Sequence, residues 1–209
     1  MNKNDQLERV KQNILNNLKC ELKDQAKNLV FGKGNSNAKI LFIGEAPGAK
    51  EDEQGIPFIG KAGKDLDKQL NKISLTIDDV YIANILKYRP PQNRDPSANE
   101  MISHTPYLVE QIKIIKPKII CTLGNFATKF IMSNANIQIM KKMPGVSEVH
   151  GQVQKIEFQG EKIKLFPIFH PSATIYRKII KEEFQKDFIK LANELNLKIK
   201  QEEIQKKLI

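Results

Sequence analysis

The sequence predicts an α/β protein in which a largely parallel sheet is covered by helices on both faces. Short apolar runs alternate along the chain with longer segments whose apolar residues recur every three to four positions. Strands that alternate with helices in this way favour a parallel sheet with helices packed on each side. The 209 residues are 40% hydrophobic, enough for one buried core, so we predict one domain over residues 1–209.

The first half of the chain contains two predicted helices and two predicted strands. The apolar residues at 7, 10, 14 and 18 have the spacing of an amphipathic helix. The next elements are marked by an apolar run, a second helical pattern and a β-rich run that ends at Asn84. In order, the predicted elements are a helix over about 3–19, a strand over 40–43, a helix over about 66–73 and a strand over 80–82.

The second half begins with a capping box, in which Ser97 is followed three residues later by Glu100. The helix that this box starts carries apolar residues through Ile115. The remaining predicted elements are a strand over 119–123, a short helix over 126–132, two β-rich runs around Gly160 with the second over 163–169, and a helix over about 180–195. The tail, residues 198–209, mixes lysine with glutamate and is expected to fray.

Composition narrows the possible partners and compartments. Lys and Arg number 34 against 24 for Asp and Glu, a formal charge of +10 that suits nucleic acid, although solvated lysines would give the same excess. Two cysteines, Cys20 and Cys121, are too few for a disulfide framework or an all-thiolate zinc site. No apolar run approaches the roughly 18 residues of a membrane span. The cysteine content fits a reducing compartment, so we expect a cytoplasmic protein, and we also expect it to act as a monomer.

The loop after the first strand is rich in glycine and proline. Gly44-Glu45-Ala46-Pro47-Gly48 leads to the carboxylates Glu51 and Asp52 and then to Gly55-Ile56-Pro57-Phe58-Ile59-Gly60. Such a loop fixes a tight backbone whose N–H groups can point into a cleft, with Glu45 and Asp52 supplying carboxylates beside it. The loop contains neither G-x-G-x-x-G nor the ending of a P-loop, so it does not indicate a nucleotide site.

Two further loops carry polar side chains at strand ends. Asn84 is followed by a basic, proline-stiffened segment with Lys87, Arg89 and Arg94, which could hold DNA phosphates or could be solvated charges. His170 begins the sequence His-Pro-Ser-Ala and is one of three histidines in the chain. A histidine at such a place could be structural or catalytic, and the proline that follows it restricts its backbone.

Taken together, these motifs resemble those of the family 4 uracil-DNA glycosylases. GEAPGAKEDEQGIPFIGKAG, ANILKYRPPQNRDP and HPSA occur in the order that the family shows, and the match extends from about Asn17 through the final helix. The resemblance implies a three-layer αβα fold and an enzyme that excises uracil from DNA. Because uracil inside a duplex is unreachable, such an enzyme must extrude the nucleotide into a pocket.

The resemblance also implies a role for each motif residue. The expected catalytic residues are Glu45, which orients water, His170, which donates to uracil O2, and Asp52 as a weaker second carboxylate. Phe58 would stack on the base, and Asn84 would read uracil N3–H and O4, a pattern that cytosine reverses. The other implied contacts are Gly44 and Ser172 in the substrate pocket and Lys87, Arg89, Arg94 and Arg177 on DNA.

Three alternatives remain at this point. A uracil-binding relative that traps DNA covalently would carry a histidine in the loop 88–96, which here has none. A family 5 enzyme would match better if Glu45 were apolar. A DNA-binding module without activity would have to keep Glu45, Asn84 and His170 by accident. No lysine motif indicates a Schiff base, so we expect hydrolysis without strand cleavage.

The resemblance also raises the question of a cofactor. The family normally holds a four-iron four-sulfur cluster through cysteines, and this chain has Asn17, Cys20, Tyr88 and His104 at those positions. Clusters of this type need four thiolates. We therefore expect no cofactor and no metal, with Tyr88 filling the volume of the cluster and all three replacements joining the same regions by packing and hydrogen bonds. A single metal at Cys20 and His104 would have only two ligands, and Cys121 is expected to be a core residue.

Overall fold

The computed structural model describes residues 1–175 and 177–200. Across these residues the α-helices are α1 (Lys3–Asn17), α2 (Glu21–Gln25), α3 (Ala49–Gln54), α4 (Lys61–Lys72), α5 (Ala98–Ile115), α6 (Asn125–Met132), α7 (Val146–Val149) and α8 (Lys178–Glu194). The strands are β1 (Lys33–Gly34), β2 (Ile40–Gly44), β3 (Val80–Asn84), β4 (Ile119–Leu123), β5 (Gln154–Phe158) and β6 (Glu161–Ile168). None of the helices in these two ranges is long and apolar enough to cross a membrane.

The strands form one sheet in the order β1-β3-β2-β4-β6-β5. The four central strands are parallel, and β1 and β5 pair antiparallel at the two edges. The register places Gly44 beside Asn84 and Leu123 beside Ile168. The carboxyl ends of all four parallel strands therefore meet at one edge, where the predicted functional loops begin.

The core has two parts, one on each face of the sheet. Along β2, Leu41 and Ile43 pack with α1, α5 and α6, while Ile40 and Phe42 pack with α4 and α8. Successive side chains of a strand point to opposite faces, so this division produces two helical layers around the sheet. The predicted α/β class and three-layer architecture are confirmed.

Most predicted elements are present, with small differences at their ends. The capping box at Ser97 is formed, since its side chain accepts from the Glu100 N–H while the Glu100 carboxylate accepts from the Ser97 N–H. The short elements α2, α3, α7 and β1 were not predicted, because segments of two to six residues are too short to show a periodic pattern. The described part of the tail reaches Lys200, whose N–H donates to Lys72 O; residues 201–209 lie outside the described ranges, so the predicted fraying stays a prediction.

Candidate active site

A cleft of about 370 Å³ opens at the carboxyl edge of the sheet. Among the residues that line it are Glu45, Phe58, Asn84, Arg94, His170 and Ser172, all of them singled out by the sequence. They come from the carboxyl end of β3 and from the loops after β2, β3 and β6. Parallel pairing of the strands brings together side chains that are as much as 127 positions apart in the sequence, as Glu45 and Ser172 are.

Asn84 offers an unused acceptor to this cleft. Its side chain is 1% exposed, and Oδ1 has no hydrogen-bond partner among the described residues. A buried polar atom without a partner is rare in a folded protein, because it has lost its water without replacement. The Asn84 amide is therefore placed to receive a hydrogen bond from a ligand.

Gly44 allows the Asn84 amide and the Phe58 ring to lie close together. A Cβ placed on Gly44 would lie 2.6 Å from Phe58 Cζ and would also collide with Asn84 Oδ1. Contacts under about 3 Å cannot form without displacement of one of these groups. The absent side chain thus leaves a flat aromatic wall directly beside the amide, an arrangement that suits a planar ring carrying polar edges.

Phe58 is held in an unusual backbone conformation. Its φ is +51°, which is a rare value for a bulky residue and is tolerated only where neighbours enforce it. Lys33 Nζ donates to the Phe58 carbonyl at 2.9 Å, and Gly63 has no Cβ, which would collide with the same carbonyl. The backbone of Phe58 is therefore held from two sides, and this fixes the direction in which its ring leaves the main chain.

Glu51, which also lines the cleft, holds the next part of this loop. Its Oε1 accepts from the Ile59 N–H at 2.9 Å and the Gly60 N–H at 2.8 Å. Our sequence prediction gave Glu51 no role, and neither did it give one to Lys33. The irregular loop could have indicated the role of Glu51, because backbone N–H groups in an irregular buried segment require a hydrogen-bond acceptor.

Glu45 is a half-buried carboxyl at the mouth of the cleft. Burial raises the pKa of Glu45 to about 7, and the negative charge of Asp95 adds to the rise. A carboxyl with such a pKa exists in both protonation states near neutral pH, as a group that takes part in acid–base chemistry must.

His170 is oriented by Ser172. The Ser172 N–H donates to His170 Nδ1 at 3.2 Å, and Ser172 Oγ lies 2.6 Å from the same nitrogen. Burial lowers the pKa of His170 to about 4, so the ring is neutral at pH 7. Because Nδ1 is the acceptor, we assign the single proton to Nε2, where it can be donated to a ligand.

Two predicted site residues have structural contacts instead. Asp52 is buried in α3, and its Oδ1 accepts from the backbone N–H groups of Lys27 and Asn28 at 2.9 and 3.3 Å. Lys87 is fully buried, with Nζ 2.8 Å from Asn84 O and 2.6 Å from Gln111 Oε1. Neither side chain lines the cleft, so the expected catalytic role of Asp52 and the expected DNA contact of Lys87 conflict with the structure.

The three arginines predicted to bind DNA differ in their surroundings. Arg94 lines the cleft and forms a bidentate ion pair with Glu100, with Nη1 2.9 Å from Oε2. Arg89 Nε donates to Asn93 Oδ1 at 2.8 Å, and Arg177 is exposed at the start of α8. Arg94 and Arg177 are thus exposed to solvent and Arg89 partly so, and their contact with DNA stays a prediction.

The four positions that the resemblance implies for an iron–sulfur cluster do not present a matching set of donors. Cys20, the one thiol, is half-buried, and Asn17 is exposed, with its side chain bonded to Asn13 within α1 at 2.6 Å. Tyr88 and His104 are buried, with ring centroids 6.2 Å apart in an edge-on arrangement. Four thiolates are required, so these residues do not fit the cluster. Tyr88 and His104 do pack together as expected, whereas Asn17 does not join them.

His104 is a buried, neutral imidazole with one of its two ring nitrogens hydrogen-bonded. Burial lowers its pKa to about 4, and Nδ1 lies 2.7 Å from Glu100 O, which accepts its proton. Nε2 is buried without a partner among the described residues.

Within residues 1–175 and 177–200, no three side chains of His, Cys, Asp or Glu lie together in a way that could hold a metal ion. Cys121 lies in the core, and burial raises the pKa of its thiol.

Comparison with known proteins gives consistent matches over most of the chain. A family model described as the uracil DNA glycosylase superfamily matches residues 31–195. The type-4 uracil-DNA glycosylase of Archaeoglobus fulgidus is 42% identical over 187 residues, which are 90% of this chain and 92% of that protein. The type-4 enzyme of Saccharolobus solfataricus is 41% identical over 195 residues, 93% of this chain and 88% of that protein. A type-5 enzyme of Pyrobaculum aerophilum is 28% identical over 157 residues, 66% of this chain and 63% of that protein.

Proposed function

Because this chain belongs to the type-4 uracil-DNA glycosylases, within the uracil-DNA glycosylase superfamily, we propose that it removes uracil from DNA. The reaction is hydrolysis of the N-glycosidic bond of deoxyuridine, which releases uracil and leaves an abasic site for base excision repair. The observation that carries the proposal is the unpartnered Asn84 Oδ1 beside the Phe58 ring in the cleft.

The pocket accounts for selection of the base. The extruded uracil stacks on Phe58, with Asn84 Oδ1 accepting from N3–H and the Asn84 N–H₂ donating to O4. Cytosine presents a donor where uracil has O4 and an acceptor where uracil has N3–H, so it would leave the buried amide unpaired. A site of this kind discriminates strongly, because each unpaired buried group costs about 1–3 kcal/mol.

The chemical step relies on charges that develop as the bond breaks. The sugar becomes cationic and the departing uracil anionic. Neutral His170 donates from Nε2 to uracil O2, which stabilises the anion, while ionised Glu45 orients water and stabilises the cation. None of the described residues that line the cleft is a lysine. We therefore propose a monofunctional enzyme that does not cut the DNA strand.

The experiment that tests this function uses a uracil-containing oligonucleotide. Incubation followed by alkali should cleave the strand at the uracil position, whereas omission of alkali should leave it intact. An oligonucleotide with thymine at that position is the matched control. The alternative, covalent trapping of DNA, is not favoured because the loop 88–96 contains no histidine. An adduct that survives denaturing electrophoresis would support that alternative instead.

Arg89, Arg94 and Arg177 are proposed to contact DNA phosphates around the cleft, and the net charge of +10 over the whole chain favours binding of a polyanion. We also propose that the enzyme acts as a monomer in the cytoplasm. The presence of only two cysteines suits a reducing compartment.

Excision should depend on pH through Glu45. The pKa of Glu45 is raised to about 7, and the carboxylate is the proposed active form. The single-turnover rate should therefore rise with pH and level off above about pH 7, falling about tenfold per unit below it. Glu45→Gln should be slow and show no such dependence.

Asp95→Asn provides the control for this assignment. Since the charge of Asp95 helps to raise the pKa of Glu45, its removal should move the midpoint of the profile to lower pH. A parental rate that stays constant from about pH 5.5 to 8 would show that ionisation of Glu45 does not limit the reaction.

The protein should contain no iron–sulfur cluster, because its donors do not fit one. Protein purified without air is expected to be colourless, to lack stoichiometric iron or zinc, and to keep its activity in chelator. Absorption spectroscopy and metal analysis check this directly. Broad absorbance near 400 nm with about four irons per chain would contradict the prediction.

A further inference from the structure

Lys87 is a fully buried lysine that the proposed reaction does not use. Its Nζ is surrounded by oxygens of three residues, at 2.8 Å from Asn84 O, 2.6 Å from Gln111 Oε1 and 3.5 Å from Phe31 O. Each of these acceptors is a neutral carbonyl or amide oxygen. Burial lowers the pKa of Lys87 to about 7, which reflects the cost of removing its charged form from water. An apolar side chain of similar length would fill the same volume without that cost.

We propose that Lys87, held in place by Gln111, is a positioning residue that fixes Asn84 for recognition of uracil. This inference rests on the proposed function, since it assigns Lys87 a role in the same pocket. Lys87 acts through the Asn84 main chain and does not touch the base.

The main chain around Asn84 is held from two directions. On the strand side, Ile85 N donates to Gly44 O and Leu86 N donates to Glu45 O, both at 3.0 Å. On the side of α5, the Lys87 ammonium binds the Asn84 carbonyl directly. These contacts fix the end of β3 and thus the direction in which the Asn84 side chain leaves it.

Gln111 holds the Lys87 amino group against helix α5. It lies in α5 and is fully buried, and its Nε2 donates to Phe31 O at 3.1 Å while Oε1 accepts from Lys87. Both ends of the Gln111 amide are thus hydrogen-bonded. A buried polar network in which every group has a partner specifies one arrangement of its members. The network therefore connects the helical layer to the residue proposed to read the base.

The test is a double-mutant cycle on the single-turnover rate of uracil excision. Lys87→Met keeps the side-chain length and removes the donors, and it should lower the rate by about 10-fold to 100-fold, as expected for a small displacement of a recognition group. In the Asn84→Ala background the same change should lower the rate by less than about twofold, because the group that it positions is already absent.

Equal effects of Lys87→Met in both backgrounds would overturn the proposal, since they would indicate a general structural defect. A parental rate in Lys87→Met would also overturn it. If the parental protein itself releases no uracil, the proposed function fails and the inference fails with it. If the parent is active and only Lys87→Met is unaffected, the inference alone fails.

A second pair of variants decides the matter if Lys87→Met does not fold. Gln111→Leu removes the acceptor of Lys87, whereas Gln111→Glu keeps an acceptor oxygen for Lys87 and loses only the donor to Phe31 O. The first should slow excision by about tenfold or more and the second by a clearly smaller factor. Equal rates for the two variants would overturn the proposal.

Discussion

Asn84→Ala is expected to reduce uracil excision by about a thousandfold while the protein remains folded. Asn84 lines the cleft with an amide that can pair with both N3–H and O4, and its Oδ1 has no hydrogen-bond partner among the described residues. Removal of the side chain leaves the base stacked on Phe58 without polar recognition. The loss should appear in the rate of the chemical step, because a mispositioned base no longer aligns its bond with Glu45 and His170.

The measurement is the single-turnover rate on a uracil oligonucleotide, with the melting temperature recorded for each variant. Asn125→Ala is the matched control, since Asn125 follows β4 at the same edge of the sheet and accepts from Val146 N without lining the cleft. That control should excise uracil at nearly the parental rate. Parental activity in Asn84→Ala would mean that the base is read by another group.

His170→Ala is expected to lower the rate by about 10²–10³-fold, the loss that follows removal of one preorganised donor at a developing anion. The neutral ring donates from Nε2 because Ser172 occupies Nδ1. The pKa of His170 is lowered to about 4, so the ring stays neutral from about pH 5.5 to 8 and adds no inflection to the pH profile of Glu45.

Ser172→Ala gives a graded comparison for this role. It removes the hydroxyl but keeps the backbone N–H that donates to Nδ1, so the proton should stay on Nε2. Its loss of rate should be much smaller than that of His170→Ala. If the two variants are equally slow, Ser172 contributes more than orientation of the ring. If His170→Ala is as fast as the parent, the anion is stabilised elsewhere.

The strand ends could be predicted because their causes are local. Apolar runs mark the buried strands, and the polar residue that follows each run lies where the strand leaves the core, as Asn84 and His170 do. The alternation of strands with helices makes the sheet parallel, so these ends meet at one edge. The location of the cleft therefore follows from the pattern, and the motifs suggested its chemistry.

The choice between neighbouring charged residues could not be made in the same way. Glu51 and Asp52 are adjacent on the short helix α3, where successive side chains point about 100° apart. Glu51 consequently faces the cleft, while Asp52 faces the buried backbone of Lys27 and Asn28. Our sequence prediction gave a role to Asp52 and none to Glu51, because six helical residues without an apolar pattern do not reveal which side is buried.

The sequence by itself determined the fold class, the edge of the sheet that carries the site and the residue types gathered there. Only the tertiary structure decided the position of Lys87, which a basic loop suggested was on the surface. Its partners Phe31 and Gln111 lie 56 and 24 residues away, and their oxygens accept hydrogen bonds from the buried amino group. A charged residue type predicts a solvent-exposed side chain, but the side chain can be buried where residues distant in the sequence provide hydrogen bonds in place of water.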